Sequence, residues 1–321
     1  MHKTLLITGG AGYIGSHISF LMAQQGYSII ILDNFVHNQP FEHLWATVIR
    51  GDYGDKQLLN TIFTNHTICA VIHCAASIEV GISVIDPLAF YDNNVSKTIT
   101  LLQCMLANNV NKIIFSSSCA VYGIPQEIPI TDNHPTNPIS PYGRTKLMVE
   151  QILQDAHNAY GLEFVALRYF NAAGAYPEQG LGEMHAPETH LIPLALHALY
   201  TQEPFYILGT QHPTPDGSCV RDFVHVRDIA DAHFKALQHL DANLPSDFFN
   251  LGTGNGFSVK QIITTAQEVT KTKMIVIEKP QRAGDPPFLV ADPTRARDIL
   301  KWTPLYSDIA FIIRSAHAFK H

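Results

Sequence analysis

A tyrosine and a lysine four residues apart, Tyr142 and Lys146 in Ser140-Pro-Tyr-Gly-Arg-Thr-Lys146, are the residues of this sequence best suited to moving a proton. At that spacing both side chains fall on one face of a helix. A free phenol ionises near ~10 and is a poor base at neutral pH. An ammonium beside it favours the phenolate and lowers that value. Upstream, Ser116-Ser117-Ser118 closes an apolar run, so a hydroxyl at a strand tip could share the oxygen that Tyr142 deprotonates. Taken alone, Tyr-x-x-x-Lys is equally an amphipathic helix with one solvated lysine. The serine-tipped strand and a glycine-rich turn near the N-terminus favour the chemical reading.

That turn, Thr8-Gly-Gly-Ala-Gly-Tyr-Ile-Gly15, places glycines at Gly9, Gly12 and Gly15 between an apolar run and a helical pattern. Glycines there permit a tight turn and close backbone approach, and the helix N-terminus offers free N–H groups to a pyrophosphate. Asp33 ends the next apolar run. A carboxylate at that position accepts from ribose hydroxyls and repels a 2′-phosphate, which selects NAD over NADP. Tyr142 could then take a hydroxyl proton while hydride leaves the same carbon for the nicotinamide, whose positive charge further favours phenolate. Asp52, in Gly51-Asp-Tyr53, could accept from an adenine amino group; alone, such an aspartate is more often a helix cap.

Positioning these residues requires strands alternating with helices. Strands are predicted at Lys3–Thr8, Ser28–Leu32, Thr47–Arg50, Ile68–His73, Lys112–Ser117 and Glu163–Tyr169. Helices are predicted at Gly12–Gln25, about Leu88–Asn108, and from Ser140–Pro141 to about Tyr160. Continuous apolar strands separated by helices mean a parallel sheet covered on both faces. The link Asn34–Ala46 is short for a full crossover helix and predicts a truncated helix or a loop. In the less regular second half, helices are expected at Glu188–Tyr200, Arg227–Leu240, Val259–Lys271 and Pro304–Phe319. Strands there are expected at Phe205–Leu208, Phe248–Leu251 and Lys273–Ile277, with loops at Ala172–Pro187, Gly209–Gly217 and Pro280–Pro287.

Composition narrows the classes. The chain has 321 residues, 46% apolar and 15% charged, with net charge −7 and no basic block, so neither nucleic acid nor an acidic membrane is an expected partner. No run approaches the roughly 18 apolar residues of a membrane helix. Five cysteines without CxxC or zinc spacing read as reduced thiols of a cytoplasmic protein, with Cys69 and Cys74 in a buried strand. Seventeen histidines never form HExxH, so no metal is expected in the chemistry. A non-catalytic NAD sensor would need the glycine cradle but not the Ser118, Tyr142 and Lys146 set.

Seven motifs together resemble the extended short-chain dehydrogenase/reductases, and within that family its UDP-sugar 4-epimerase branch. They are Thr8–His17 (TGGAGYIGSH), Tyr91–Val95 (YDNNV), Ser116–Gly123 (SSSCAVYG), Ser140–Lys146 (SPYGRTK), Arg168–Ala175 (RYFNAAGA), Val220–His233 (VRDFVHVRDIADAH) and Arg282–Pro287 (RAGDPP). The resemblance implies an α/β protein: a Rossmann-type doubly wound parallel sheet binding NAD over 1–171, joined by part of 219–250, and a smaller α/β substrate domain over 172–321. It implies tightly bound NAD, reduced and reoxidised within one turnover, and interconversion of UDP-glucose and UDP-galactose through a rotating 4-keto sugar. Another UDP-sugar (UDP-GlcNAc, a UDP-pentose or UDP-glucuronate) is the alternative substrate. Tyr142 becomes the base, Lys146 its pKa setter and ribose ligand, and Ser118 its partner. Gly9, Gly12, Tyr13, Ile14, Gly15, Asp33, Asn34, Asp52, Tyr53, Ala75, Ala76, Asn93 and Phe170 match cofactor positions. Asn171, His190, Leu191, Arg221, Arg282, Asp285 and Leu289 match substrate positions, the two arginines facing the diphosphate and Asp285 the uridine ribose. A homodimer is implied through about Leu88–Asn108 and Tyr142–Tyr160, with Leu101, Leu102, Met105 and Leu147 as a candidate seam.

Departures sharpen the reading. Related 4,6-dehydratases carry an Asp-Glu pair where this chain has Cys119 and Ala120, so elimination is disfavoured. His190 replaces a diphosphate-binding asparagine of the enterobacterial branch; an imidazole still donates to phosphate. Ile78 replaces a lysine of that branch. Leu289 stands where other members have a bulky tyrosine or a small residue, which predicts tolerance of an N-acetyl group.

Overall fold

The computed structural model describes residues 3–36, 44–185, 187–281 and 286–320. Along the chain it runs β1 (Thr4–Thr8), α1 (Tyr13–Gln24), β2 (Ser28–Asp33), β3 (Ala46–Arg50), α2 (Lys56–Asn65), β4 (Ile68–His73), α3 (Val80–Ile85), α4 (Pro87–Tyr91), a π-helical turn (Asp92–Ser96) and α5 (Lys97–Ala107). There follow β5 (Lys112–Ser118), α6 (Pro141–Tyr160), β6 (Glu163–Tyr169), β7 (Asn171–Ala173), α7 (Leu191–Thr201), β8 (Phe205–Leu208), β9 (Val220–His225) and α8 (Val226–Asp241). The chain ends with β10 (Asp247–Leu251), β11 (Gly256–Ser258), α9 (Val259–Thr270), β12 (Val276–Lys279), β13 (Phe288–Leu289), α10 (Thr294–Asp298) and α11 (Ile309–Lys320).

Two compact units result. The first comprises Met1–Gly123, Thr136–Arg168 and Ala230–Phe249; the second comprises Ile124–Pro135, Tyr169–Ile229 and Asn250–His321. A seven-stranded sheet in the order β10-β6-β5-β4-β1-β2-β3 organises the first. β1 pairs in parallel with both β2 and β4, so the strand order reverses beside β1. In open α/β sheets that reversal leaves a crevice at the carboxyl ends of the strands, where ligands bind. The strands are apolar on both faces: Leu5, Leu6 and Ile7 are each 0% exposed. Leu59 and Phe63 of α2, Leu101 and Met105 of α5, and Leu153 of α6 close one face against Leu6, Val71, Ile113 and Phe115.

In the second unit β9 pairs antiparallel with β11 and in parallel with β13 and β7. β8 and β12 form a separate parallel pair. Ile192 and Leu196 of α7, Ile262 of α9 and Ile312 of α11 share a core with Phe223.

Several elements depart from expectation. Helix α2 was not anticipated; Asp55 caps it by accepting from the backbone N–H of Gln57 and Leu58, and Asp52 does not. The helix expected over Leu88–Asn108 starts earlier and is broken into α3, α4, the π turn and α5, because Asp86-Pro87 restarts it. Strand β9 was missed and β10 joins the large sheet. The last helix begins at Ile309, not Pro304. Cys74 lies one residue past β4 and, with Cys69, is half-buried. Residues 37–43, within the link read as a truncated helix or loop, lie outside the described residues.

Candidate active site

The glycine turn joins β1 to α1. Gly9 has φ +68°, a left-handed conformation open to glycine at little cost, and a β-carbon on it would lie 2.6 Å from the Ala75 nitrogen. A β-carbon on Gly15 would collide with the Gly9 carbonyl oxygen. Gly12 is the N-cap of α1 and supplies no side-chain cap, and no acidic residue occupies the first turn. The N–H groups there keep their partial positive charge toward a ligand. Tyr13 is buried and Ile14 half-buried at this helix start. Asp33 ends β2, and its carboxylate accepts from Ala11 N at 3.0 Å and Phe35 N at 2.9 Å, tying strand end to turn.

Asp52 accepts from Gly54 N at 2.8 Å and pairs with Lys97 at 2.7 Å; Asn34 Nδ2 lies 3.5 Å away. Burial opposes its ionisation, but the hydrogen bonds from Lys97 and Gly54 and the Lys97 charge prevail and hold it below the usual carboxylate range. Lys97, unremarked in the sequence, therefore already occupies part of this carboxylate. Tyr53 is buried and donates its hydroxyl to the Asn93 carbonyl. Asn93 Nδ2 donates to Ser77 Oγ at 3.1 Å, in the loop that carries half-buried Ala75 and Ala76. Asn94, inside the YDNNV motif but without an assigned role there, sits in the π turn. Its amide donates to Ser77 O at 2.9 Å and Thr145 Oγ1 at 3.1 Å, and its oxygen accepts from Ser77 N at 2.8 Å. The loop after β4 is thereby fastened to α6.

Tyr142 and Lys146 occupy the first two turns of α6, whose N-cap Ser140 accepts from Gly143 N and whose first position is Pro141. Gly143 permits close approach, since a β-carbon there would lie 2.5 Å from the Ala120 carbonyl oxygen. Ser118, at the tip of β5, accepts from Ala120 N at 3.2 Å, and its hydroxyl is close enough to Tyr142 to favour the phenolate. Tyr142, Ser118 and Lys146 are all buried. Lys146 Nζ donates to Ser116 O at 2.8 Å and lies 5.8 Å from the Tyr142 ring centroid.

The expected lowering of the Tyr142 pKa by this ammonium is not met by the protein alone. Burial pushes the phenol up to about 12, and the nearby Ser118 hydroxyl offsets only part of that. Burial likewise pulls Lys146 down to about 8. Both shifts have one cause, loss of water around the charged form.

One turn beyond Lys146, Glu150 accepts from Ser117 Oγ at 2.6 Å and from Arg168 Nε at 2.8 Å and Nη2 at 2.7 Å. Arg168 Nη1 donates to Tyr122 Oη at 2.9 Å. This buried bidentate pair locks β5, α6 and β6 together one helical turn beyond Lys146. Only the arginine of the RYFNAAGA motif hinted at it.

In the second unit, Phe170 is buried and Asn171 opens β7. Arg221 on β9 stands opposite Leu289 on β13 in register, both half-buried. His190 is the N-cap position of α7 and Leu191 its first residue. Arg282 and Asp285 lie outside the described residues. The predicted seam residues Leu101, Leu102 and Met105 belong to the core and cannot present a surface, because helical spacing reads the same for either role. Leu147 is half-buried. No described helix is long and apolar enough to cross a membrane.

A sheet reversal beside a glycine cradle, with a Tyr–Lys–Ser set at the next strand tip, defines a dinucleotide-dependent α/β enzyme. The profile of the NAD dependent epimerase/dehydratase family matches residues 5–252. A UDP-glucose 4-epimerase of Halalkalibacterium halodurans is 47% identical over 97% of this chain and 94% of that protein. The crystal structure of UDP-glucose 4-epimerase from Brucella ovis in complex with NAD superposes with a TM-score of 0.95 at 44% identity, covering 98% of this chain and 97% of that one. The Bifidobacterium longum UDP-glucose 4-epimerase in complex with NAD+ and UDP gives 0.94 at 37% identity, covering 99% and 98%. The chain belongs to the NAD dependent epimerase/dehydratase family, in its UDP-glucose 4-epimerase branch. Its own residues fit NAD: the turn has room only for glycine at Gly9 and Gly15, the α1 N-terminus is uncapped by side chains, and an acidic residue ends β2.

Proposed function

We propose that the chain interconverts UDP-glucose and UDP-galactose by inverting carbon 4. The observation that carries this is a buried tyrosine with Lys146 Nζ 5.8 Å from its ring centroid and Ser118 buried at the neighbouring strand tip, in the compact unit that also holds the glycine cradle and Asp33. NAD, when bound, supplies a hydride acceptor and donor for carbon 4 and a positive charge beside the phenol. Tyr142 takes the proton of the 4-hydroxyl and returns it. Ser118 holds that oxygen in line. Lys146, at about 8, is largely charged near neutrality and stabilises the phenolate. The 4-keto sugar turns before hydride returns to its other face, so the configuration inverts. Cys119 and Ala120 offer neither acid nor base for elimination at C5 and C6.

NAD is bound through Gly9, Gly12, Tyr13, Ile14, Gly15, Asp33, Asn34, Asp52, Tyr53, Ala75, Ala76, Asn93 and Phe170. Asn171, His190, Leu191, Arg221, Arg282, Asp285 and Leu289 bind the UDP-sugar. A planar guanidinium makes two parallel hydrogen bonds to a phosphate, which suits Arg221 and Arg282 to the diphosphate. The protein works as a cytoplasmic homodimer. Leu289, without the bulk and hydroxyl of tyrosine, favours tolerance of an N-acetyl sugar as well.

The test is purified protein given UDP-galactose, UDP-glucose, UDP-GlcNAc, UDP-xylose and UDP-glucuronate separately, without added NAD. Equilibration of UDP-galactose with UDP-glucose is the expected result. Conversion of UDP-xylose or UDP-glucuronate alone, or no conversion, contradicts the proposal.

A further inference from the structure

One side-chain cluster lies outside the proton-transfer set, and only its His190 has been given a role, toward the diphosphate. Glu183, His185, Glu188 and His190, spaced Glu-x-His-x-x-Glu-x-His before α7, each turn one ligand atom inward, and these atoms all lie within 4.8 Å of one another. His185 Nδ1 lies 3.0 Å from Glu183 Oε1, and His190 Nδ1 contacts the same oxygen. Glu188 Oε1 is 3.6 Å from His190 Nδ1. Glu183 is 5% exposed, so its charge is held out of water. Glu188 Oε2 is buried with no hydrogen-bond partner among the described residues. An orphaned buried carboxylate oxygen is costly and calls for a cation or a donor.

We propose that these four side chains bind one divalent transition cation of the Zn²⁺ type. Two imidazole nitrogens and two carboxylate oxygens make a borderline donor set that suits a four-coordinate Zn²⁺, while the all-oxygen preference of Mg²⁺ and Ca²⁺ disfavours them. Without a cation, one carboxylate oxygen faces two Nδ1 atoms, and both must carry protons to be held there. A cation replaces those protons and occupies the space between the four groups. All four ligands come from residues 183–190, so binding needs no distant element to move. Nδ1 ligation of His190 leaves its Nε2 as an N–H donor. The cation thus fixes the tautomer that a diphosphate would need at this position.

The experiment uses untagged full-length protein dialysed against EDTA and then titrated with ZnCl₂ by calorimetry. One equivalent is expected. His185→Ala and His190→Ala should each weaken binding by on the order of 100-fold or more, since losing even an outer-shell partner costs about 10–100-fold. His197→Ala, exposed on α7, should keep parental affinity. The Co²⁺-loaded parent needs no substitution: intense tetrahedral visible bands are expected. Failure of the parent to bind one equivalent, unchanged affinity in His185→Ala and His190→Ala, or only weak octahedral cobalt bands overturns the inference. The readout is bound cation, so it stands or falls separately from sugar turnover.

Discussion

Lys146 is the residue where burial and function conflict most openly. Its ammonium is held near about 8, against an ordinary value of 10.5. Between those two values the unfolded chain binds a proton that the folded chain has released, so this group makes stability rise with pH across that window. Below it both states are charged and the full burial penalty stands. Lys146→Met should therefore show its greatest stability relative to the parent near pH 7, with the gap shrinking by pH 9.5. Urea midpoints of both proteins at the two pH values check this, and a gap independent of pH contradicts it. Ser118→Ala should keep the fold and lower kcat by about 10²-fold, the lower end of what a positioned proton-transfer partner supplies. Leu289→Tyr should lower kcat/KM on UDP-GlcNAc by about 10-fold or more while sparing UDP-galactose, as expected for steric discrimination worth ~1–3 kcal/mol. Equal values for the variant and the parent would remove Leu289 as a determinant.

At the scale of elements, Asp222 shows how one side chain can hold a turn and two strands. From β9 its carboxylate accepts from Thr253 N at 2.9 and 3.0 Å, Thr253 Oγ1 at 2.7 Å, Gly254 N at 3.1 Å and Ala291 N at 3.2 Å. Asp222→Ala should destabilise the protein by about 3 kcal/mol or more, because buried N–H groups lose their acceptor. Denaturant unfolding measures it, and a loss below about 1 kcal/mol contradicts the role. The same residue explains why β9 was illegible: Val-Arg-Asp-Phe-Val-His mixes charges into what is otherwise a buried strand. β1, β2, β4, β5 and β6 were legible because each is a continuous apolar run. Helix α2 was legible but overlooked: Leu58, Leu59, Ile62 and Phe63 fall at i, i+1, i+4 and i+5, one face of a helix, behind the Asp55 cap. The π turn, by contrast, was hidden: Val95 is its only apolar residue, too few to reveal the change of phase that an extra residue in the turn makes. Of the site, Ser118, Tyr142, Lys146 and Asp33 were readable from type and spacing. Lys97, Asn94 and Glu150 were not, since their partners are 45, 17 and 18 residues away in the chain.

At the scale of the whole molecule, the first unit leaves apolar side chains in water on α3 and α4. Val84 is 65% exposed, Ile85 79% and Leu88 77%. Contiguous exposed apolar surface of this kind marks an association face. Sedimentation should give a dimer mass for the parent and a monomer mass for Ile85→Glu/Leu88→Glu; a monomeric parent contradicts the homodimer. The central claim concerns chemistry at one phenol, and it is tested most directly by turnover of UDP-galactose in Tyr142→Phe protein that still carries NAD. The account predicts a loss of at least about 10³-fold in kcat, with folding and retained cofactor unchanged. Turnover within a few-fold of the parent would show that the proton leaves the sugar by another route.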